Sequence, residues 1–137
     1  MACEFANKRV TVMGLGRFGG GAGVTRWLAA QGARVLVTDM QPMEKLQEPI
    51  GDIQDLVASG SVTLRLGEHR ETDFTGCDLV IANPAVPKPW ENTFINAAVS
   101  ARVPVTTEIR LVTERINRQR TIGTTGSAGK STTTAMI

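Results

Sequence analysis

The sequence predicts an α/β fold, because strand-like apolar runs alternate with helical patterns from residue 8 to residue 116. A glycine-rich turn follows the first of five such runs, and a second glycine-rich segment, at residues 125–132, comes after the last helical pattern. Strands that are joined through helices pair in parallel. We therefore expect a Rossmann-like parallel five-stranded sheet with flanking helices, followed by the first strand, the phosphate loop and the helix start of a second domain.

The composition is that of an ordinary globular α/β protein. The 137 residues are 42% hydrophobic and 20% charged, and the formal net charge is +2. So small a charge does not favour binding to nucleic acid or to a membrane surface, and 4% aromatic residues without tyrosine offer no platform for stacking bases. The first residues form no apolar signal segment, and the two cysteines form no CxxC pair, which indicates a cytoplasmic protein without a metal site of its own.

The first elements predict a βαβ unit. Residues 8–13 have the pattern of a strand and residues 22–31 that of an amphipathic helix, with Gly32 well suited to end the helix. Residues 34–38 follow as the second strand, and Asp39 falls at its carboxyl end. The two strands are therefore expected to pair in parallel, with the glycine-rich turn between the first strand and the helix.

That turn has the pattern GxGxxG, formed by Gly14, Gly16 and Gly19. Asp39, at the end of the second strand, has the position at which nucleotide-binding βαβ units have an acidic residue. This context favours a turn that binds a mononucleotide or a dinucleotide. Two alternatives remain open at this point. The glycines could serve only turn geometry and close packing of helix on strand, and Asp39 could be a solvated or capping residue.

The middle of the chain has less regular patterns. Residues 42–47 predict a helical turn, residues 53–58 a short amphipathic helix and residues 62–66 a third strand. Residues 67–76 are polar, which favours a surface loop in which His69 is solvated.

A central strand and a stiff loop are predicted at residues 78–87. Residues 78–82 form the most apolar run, as expected of a parallel strand that is buried on both faces. The loop Asn83-Pro84-Ala85-Val86-Pro87 cannot continue as a helix and would lie at the carboxyl edge of the sheet, beside the glycine turn. The alternative is that the prolines only end the strand.

Three elements complete the first domain. Residues 91–101 predict a helix, and residues 103–106 predict a fifth strand whose Pro104 suits the edge of the sheet. A last helix begins at Thr107-Glu108, and residues 117–119 form a linker.

The segment Thr125-Gly126-Ser127-Ala128-Gly129-Lys130-Ser131-Thr132 is typical of a phosphate loop. It lies between a predicted strand at residues 120–124 and a helix predicted from Lys130 onward, although Thr124 stands where the strict GxxxxGK[ST] pattern has a glycine. Lys130 offers positive charge to a nucleoside triphosphate, and Ser131 or Thr132 offers a hydroxyl to Mg²⁺. The alternative is a Gly/Ser/Thr-rich loop that caps an ordinary helix.

The last residues are too few to form a stable unit alone. We therefore expect Ile122, Met136 and Ile137 to pack against the first domain or against a neighbouring chain.

In this order the features resemble the Mur ligase family, closest to its MurD-type members, which add D-glutamate. The resemblance covers nearly the whole chain after Asn7. Its motifs are Val12-Met13-Gly14-Leu15-Gly16, Asp39, Asp78-Leu79-Val80-Ile81-Ala82-Asn83-Pro84, Thr107-Glu108-Ile109 and Thr125-Gly126-Ser127-Ala128-Gly129-Lys130-Ser131-Thr132-Thr133. It implies a UDP-substrate-binding domain at residues 1–117 and the start of an ATP-binding domain at residues 118–137.

The resemblance also implies roles for particular residues. Lys130 would be catalytic, and Ser131 would hold Mg²⁺ together with ATP. The ATP phosphates would be bound by Gly126, Ser127, Ala128, Gly129, Lys130, Ser131 and Thr132. The UDP part of the substrate would be bound by Gly14, Leu15, Gly16, Arg17, Gly19, Asp39, Asn83 and Ala85, with Asp39 at the uracil.

The activity implied is that of a cytoplasmic, ATP-dependent ligase of bacterial peptidoglycan synthesis that joins D-glutamate to UDP-N-acetylmuramoyl-L-alanine. Phosphorylation by ATP would make the alanine carboxylate reactive, and the amine would then displace phosphate. This chain alone is expected to bind the UDP-substrate without turnover. The alternatives are an NAD(P)-binding Rossmann oxidoreductase domain, a Mur ligase that adds another amino acid, and a non-catalytic nucleotide-binding module.

Overall fold

The structure is a computed structural model that describes residues 4–16 and 19–137. The strands are β1 (Arg9–Met13), β2 (Arg34–Asp39), β3 (Val62–Leu66), β4 (Leu79–Ala82) and β5 (Val105–Thr106). The helices are α1 (Gly20–Ala30), α2 (Gln47–Gly51), α3 (Gln54–Ala58), α4 (Glu71–Thr75), α5 (Thr93–Ser100), α6 (Glu108–Thr113) and α7 (Lys130–Ala135). Short 3₁₀ turns lie at Met43–Lys45, Pro89–Glu91 and Arg118–Arg120.

The five strands form one sheet in the order β3-β2-β1-β4-β5, and every pair is parallel. In the centre of the sheet Val12 pairs with Val37 on one side and with Ile81 on the other. The chain therefore winds outward from β1 in both directions, and the carboxyl ends of β1, β2 and β4 meet at one edge. This confirms the predicted α/β fold with a parallel five-stranded sheet.

Side chains from the two faces of the sheet fill two separate cores. On one face Val10 and Val12 pack with Leu28 of α1, and all three are almost completely buried. On the other face Met13 and Val80 pack with residues of α4 and α5. Because neighbouring residues of a strand point to opposite faces, a sheet covered on both sides needs apolar residues at consecutive positions. Strand β4 has them throughout, and β1 has them at Val12 and Met13.

The polar segment at residues 67–76 is not the open loop that we expected. It contains α4, whose Phe74 is completely buried, and the hydroxyl of Thr11 in β1 donates to the carbonyl oxygen of Asp73 at 2.6 Å. The prediction was wrong because the helix depends on one apolar side chain and on a long-range contact with β1. The solvated position predicted for His69 is also wrong, since its ring packs against Phe74 with 5.7 Å between ring centres.

The last part of the chain differs from prediction in two further ways. Residues 121–124 form no strand, and in the part of the chain that the structure describes no strand pairs with them. A strand requires hydrogen bonds to a neighbour, which this segment lacks. The apolar side chains Ile122, Met136 and Ile137 are 72%, 77% and 71% exposed, so the expected packing of this segment on the first domain is wrong.

The helix predicted from Lys130 is present as α7. Among residues 4–16 and 19–137, none of the helices combines the length and the hydrophobicity that crossing a bilayer requires.

Candidate functional site

The turn after β1 has a backbone that only glycine adopts without strain. Gly14, Gly16 and Gly19 have φ angles of 89°, 70° and 81°, in the left-handed region. A Cβ on Gly21, at the start of α1, would overlap the carbonyl oxygen of Leu15, so the helix packs directly on the turn. The glycines therefore do serve turn geometry and close packing, as one of the alternatives proposed.

Asp39 at the end of β2 is tied to this turn. Its side chain is largely buried, and Oδ2 accepts a hydrogen bond from the backbone N–H of Leu15 at 2.9 Å. The second oxygen, Oδ1, accepts from the N–H of Gln41 at 2.8 Å. Asp39 is therefore neither solvated nor a helix cap. Its carboxylate is held in a fixed orientation, and each oxygen keeps a further lone pair.

Asn83, directly after β4, contacts the turn from the opposite side. Its Nδ2 donates to the carbonyl oxygen of Gly14 at 3.4 Å, and its Oδ1 accepts from the N–H of Ala85 at 2.8 Å. A Cβ on Gly14 would lie 3.0 Å from Asn83 Cβ, and one on Gly16 would lie 2.9 Å from Asn83 Nδ2. The first two glycines of the motif are therefore favoured by their close approach to Asn83 as well as by their own φ angles.

A cavity of about 560 Å³ opens between these three segments. Five of the predicted UDP ligands line it: Gly14, Gly16, Asp39, Asn83 and Ala85. This volume is typical of small-molecule sites, which lie at the carboxyl ends of strands in open α/β sheets.

Of the three remaining predicted UDP ligands, Leu15 and Gly19 do not line the cavity. The side chain of Leu15 is completely buried in the core, and its N–H is engaged by Asp39. Gly19 is the N-terminal cap of α1 and lies away from the cavity wall, whereas Arg17 lies outside the described residues.

The start of α1 has backbone N–H groups without a hydrogen-bond partner among the described residues. The first bond within the helix runs from the N–H of Gly23 to the carbonyl oxygen of Gly19, so the three residues before Gly23 have N–H groups without a helical partner. The carboxylate of Glu108 in α6 lies against Gly20, and burial raises the pKa of Glu108. Negative charge thus already lies on the α6 side of the helix start.

The predicted phosphate loop forms a closed turn at the start of α7. Gly126 and Gly129 have φ angles of 146° and 76°, and Gly129 caps the helix. The ammonium group of Lys130 donates to the carbonyl oxygen of Gly126 at 2.6 Å, which joins the two ends of the loop. Ser127, Ala128, Ser131 and Thr132 are exposed, and none of residues 126–132 lines the cavity beside Gly14.

A family model described as the N-terminal domain of MurD-like Mur ligases matches residues 8–107. The chain belongs to the Mur ligase family and carries a MurD-like N-terminal domain. This membership favours the ligase interpretation over the NAD(P)-binding oxidoreductase.

Relatives along nearly the whole chain support the same assignment. A UDP-N-acetylmuramoylalanine–D-glutamate ligase of Anaeromyxobacter dehalogenans (strain 2CP-C) is 44% identical over 98% of this chain. The ligase of the same name from Roseiflexus sp. (strain RS-1) is 38% identical over 98% of the chain. In both comparisons the chain spans 27% of the relative, about a quarter of its length.

Two solved structures share the fold. The pseudomurein peptide ligase type C from Methanothermus fervidus superposes over 95% of this chain and 25% of its own, with a TM-score of 0.58 at 24% identity. Quinate dehydrogenase from Corynebacterium glutamicum in complex with NAD superposes over 80% of this chain and 47% of its own, with a TM-score of 0.53 at 18% identity. The two proteins have different names and activities, so this likeness concerns the fold alone.

Within this Mur ligase domain, the cavity also has an aromatic wall that the sequence analysis missed. His69 and Phe94 line it, with 5.3 Å between ring centres and nearly perpendicular planes. Leu46 and Val86 add apolar surface beside them. One signal was available in the sequence, because His69 follows β3 and residues that follow parallel strands gather at one edge of the sheet.

The environment of His69 is unusual for a surface residue. Its Nδ1 is buried and has no hydrogen-bond partner among the described residues. Burial lowers the pKa of His69 below the usual histidine value, while the nearby carboxylates of Asp39 and Asp73 act in the opposite direction with smaller effect. At neutral pH the ring is therefore uncharged.

Proposed function

We propose that residues 1–117 are the UDP-substrate-binding domain of an ATP-dependent ligase, and that residues 118–137 begin its ATP-binding domain. The full ligase would join D-glutamate to UDP-N-acetylmuramoyl-L-alanine in the cytoplasm. One observation carries the proposal: a cavity at the carboxyl edge of the sheet brings together Gly14, Gly16, Asp39, Asn83 and Ala85.

The walls of this cavity suit the chemically different parts of UDP. Glycines let a diphosphate approach the backbone closely. Helix α1, which begins four residues after Gly16, offers a favourable dipole and N–H groups that have no partner among the described residues. Asp39 has lone pairs to accept a hydrogen bond from N3–H of uracil. The aromatic and apolar wall offers the base a surface to pack on.

Leu15 and Asn83 act on the ligand chiefly by positioning the turn. Leu15 fixes the orientation of the Asp39 carboxylate through its N–H, which leaves that N–H unavailable to phosphate. Asn83 holds Gly14 and Ala85 through its side-chain amide. Gly19 would act through the backbone as the cap of α1. Arg17 would bind the diphosphate.

The described phosphate loop fits ATP with Mg²⁺. Two glycines with positive φ angles close the loop, and Lys130 and Ser131 are exposed at its helix end. Residues 126–132 would hold the phosphates, Lys130 would neutralise their charge, and Ser131 would offer its hydroxyl to Mg²⁺. ATP supplies the phosphoryl group that makes a carboxylate reactive toward an amine.

Isothermal titration calorimetry tests the proposal. We expect the chain to bind UDP and UDP-N-acetylmuramoyl-L-alanine, and to bind NAD more weakly than either. Quinate dehydrogenase, which shares the fold, was solved with NAD, so NAD is the appropriate competitor. Tighter binding of NAD than of UDP would contradict the proposal.

A further inference from the structure

His69 has a polar group that the fold itself does not use. Its ring packs against both Phe74 and Phe94, at 5.7 Å and 5.3 Å between ring centres, and both contacts are edge-on. The buried Nδ1 has no hydrogen-bond partner among the described residues, and the ring lines the cavity. A histidine that served packing alone would be replaceable by phenylalanine, since neither aromatic contact requires a ring nitrogen.

The burial of Nδ1 decides where the neutral ring carries its proton. A buried N–H without an acceptor is rarer and costlier than a buried lone pair without a donor. The proton therefore resides on Nε2, the other ring nitrogen, and the cavity is the open space that the ring borders. His69 thus presents a hydrogen-bond donor, whereas Asp39 in the same cavity presents an acceptor.

We propose that His69 determines base specificity in this cavity by donating from Nε2 to the O4 carbonyl of uracil, while Phe94 packs against the base. This inference rests on the proposed function, because it assumes that the base of UDP occupies the cavity. Uracil presents a donor at N3 and an acceptor at O4, which complement the acceptor of Asp39 and the donor of His69. Cytosine presents an acceptor at N3 and a donor at N4, so both contacts would become repulsive.

The test compares UDP, CDP and inorganic pyrophosphate by calorimetry on the whole chain. The variant His69→Phe keeps an aromatic ring and removes the donor, whereas His69→Gln keeps an amide donor of similar reach. We expect the wild type to prefer UDP to CDP and His69→Phe to bind UDP about three- to tenfold more weakly, the range for one lost hydrogen bond. We also expect His69→Phe to lose most of the preference for UDP over CDP and His69→Gln to keep part of it. Pyrophosphate should bind equally to the wild type and to both variants.

The outcomes separate this inference from the proposed function. If the wild type binds UDP and His69→Phe keeps the same ratio of UDP to CDP affinity, the inference is wrong and the proposed function stands. If the wild type does not bind UDP, the proposed function fails and the inference fails with it.

A second measurement does not depend on the folding of any variant. His69 is the single histidine of the chain, so its imidazole ¹⁵N signals are assigned without ambiguity. We expect the free protein to show a protonated Nε2 whose resonance shifts on addition of UDP and does not shift with pyrophosphate. A protonated Nδ1, or an Nε2 signal indifferent to UDP, would overturn the inference.

Discussion

The carboxylate of Asp39 accepts a hydrogen bond from the backbone N–H of Leu15 at 2.9 Å, which joins the end of β2 to the glycine turn after β1. The same carboxylate faces the cavity in which we place the uracil of UDP. Asp39 thus has a structural role in addition to the ligand-binding role that we propose for it, and its replacement is expected to affect both.

Asp39→Ala should lower the free energy of unfolding by about 1.5–3 kcal/mol, because it leaves the N–H of Leu15 without its charged acceptor. It should also weaken UDP binding at least about tenfold, the result of losing one charge-assisted hydrogen bond. Urea unfolding and calorimetry measure the two effects. The matched control is Asp55→Ala, since the Asp55 side chain is 62% exposed and pairs with Arg26 at the surface. An Asp39→Ala protein with unchanged UDP affinity would contradict the role assigned to this carboxylate.

The contact between Gly16 and Asn83 can be tested separately from backbone strain. Gly16→Ala would place a Cβ 2.9 Å from Asn83 Nδ2, whereas Gly60 has a similar φ angle of 78° and nothing within 4 Å of its Cβ position. Both substitutions should lower the free energy of unfolding by about 1–3 kcal/mol through backbone strain. Gly16→Ala should lower it more than Gly60→Ala does and should also weaken UDP binding. Asn83→Ala should recover part of the excess, by about 0.5 kcal/mol or more in a double-mutant cycle. Equal costs at positions 16 and 60 would show that Asn83 does not constrain the turn.

The lowered pKa of His69 predicts a pH dependence of stability. The unfolded chain binds a proton at His69 near the usual value of about 6.5, while the folded chain binds it only at lower pH. The free energy of unfolding should therefore fall as the pH decreases through this value toward the folded pKa, and be fully restored above it. Urea unfolding at about pH 7.5 and about pH 5.5 measures the change. His69→Phe should show a smaller fall, and an equal fall in both proteins would contradict the burial of His69.

Features that depend on local sequence patterns could be predicted, whereas features that depend on long-range contacts could not. The βαβ unit with its glycine turn and Asp39 follows from short-range patterns, and the structure has it. Helix α4 was missed because Phe74 and a hydrogen bond to Thr11 hold it, and neither contact is visible in a polar local sequence. His69 was missed for the same reason, since its aromatic neighbour Phe94 lies in α5.

In the predicted phosphate loop, the local conformation agrees with the prediction, whereas the strand predicted before it is absent from the described residues. The helix predicted after the loop is present as α7, and Gly126 and Gly129 have positive φ angles, which glycine adopts readily. The strand expected before them requires a partner strand, and the structure places none beside it among the described residues. Local conformation could thus be predicted here, whereas pairing could not.

Lys130→Ala should weaken binding of ATP with Mg²⁺ about tenfold and leave UDP binding unchanged. Its ammonium group closes the loop through Gly126 and lies outside the cavity lined by Gly14 and Asp39. Titration followed by NMR suits the weak affinity expected at an exposed site. Lys130→Arg is the control that keeps the charge and should retain most of the binding. Loss of UDP affinity in Lys130→Ala would be inconsistent with two separate sites, and unchanged ATP affinity would contradict the role assigned to Lys130.

The central claim is that UDP binds in the cavity between the glycine turn, Asp39 and Asn83, and a crystal structure of the chain with UDP tests it most directly. We predict electron density for the diphosphate beside Gly14 and Gly16 and for the uracil beside Asp39 and His69. The chain also has an apolar groove of about 470 Å³ between α1 and α6, lined by Trp27, Ile109 and Val112. Density for UDP in that groove, or beside the loop at Lys130, with the cavity filled only by water, would contradict the account.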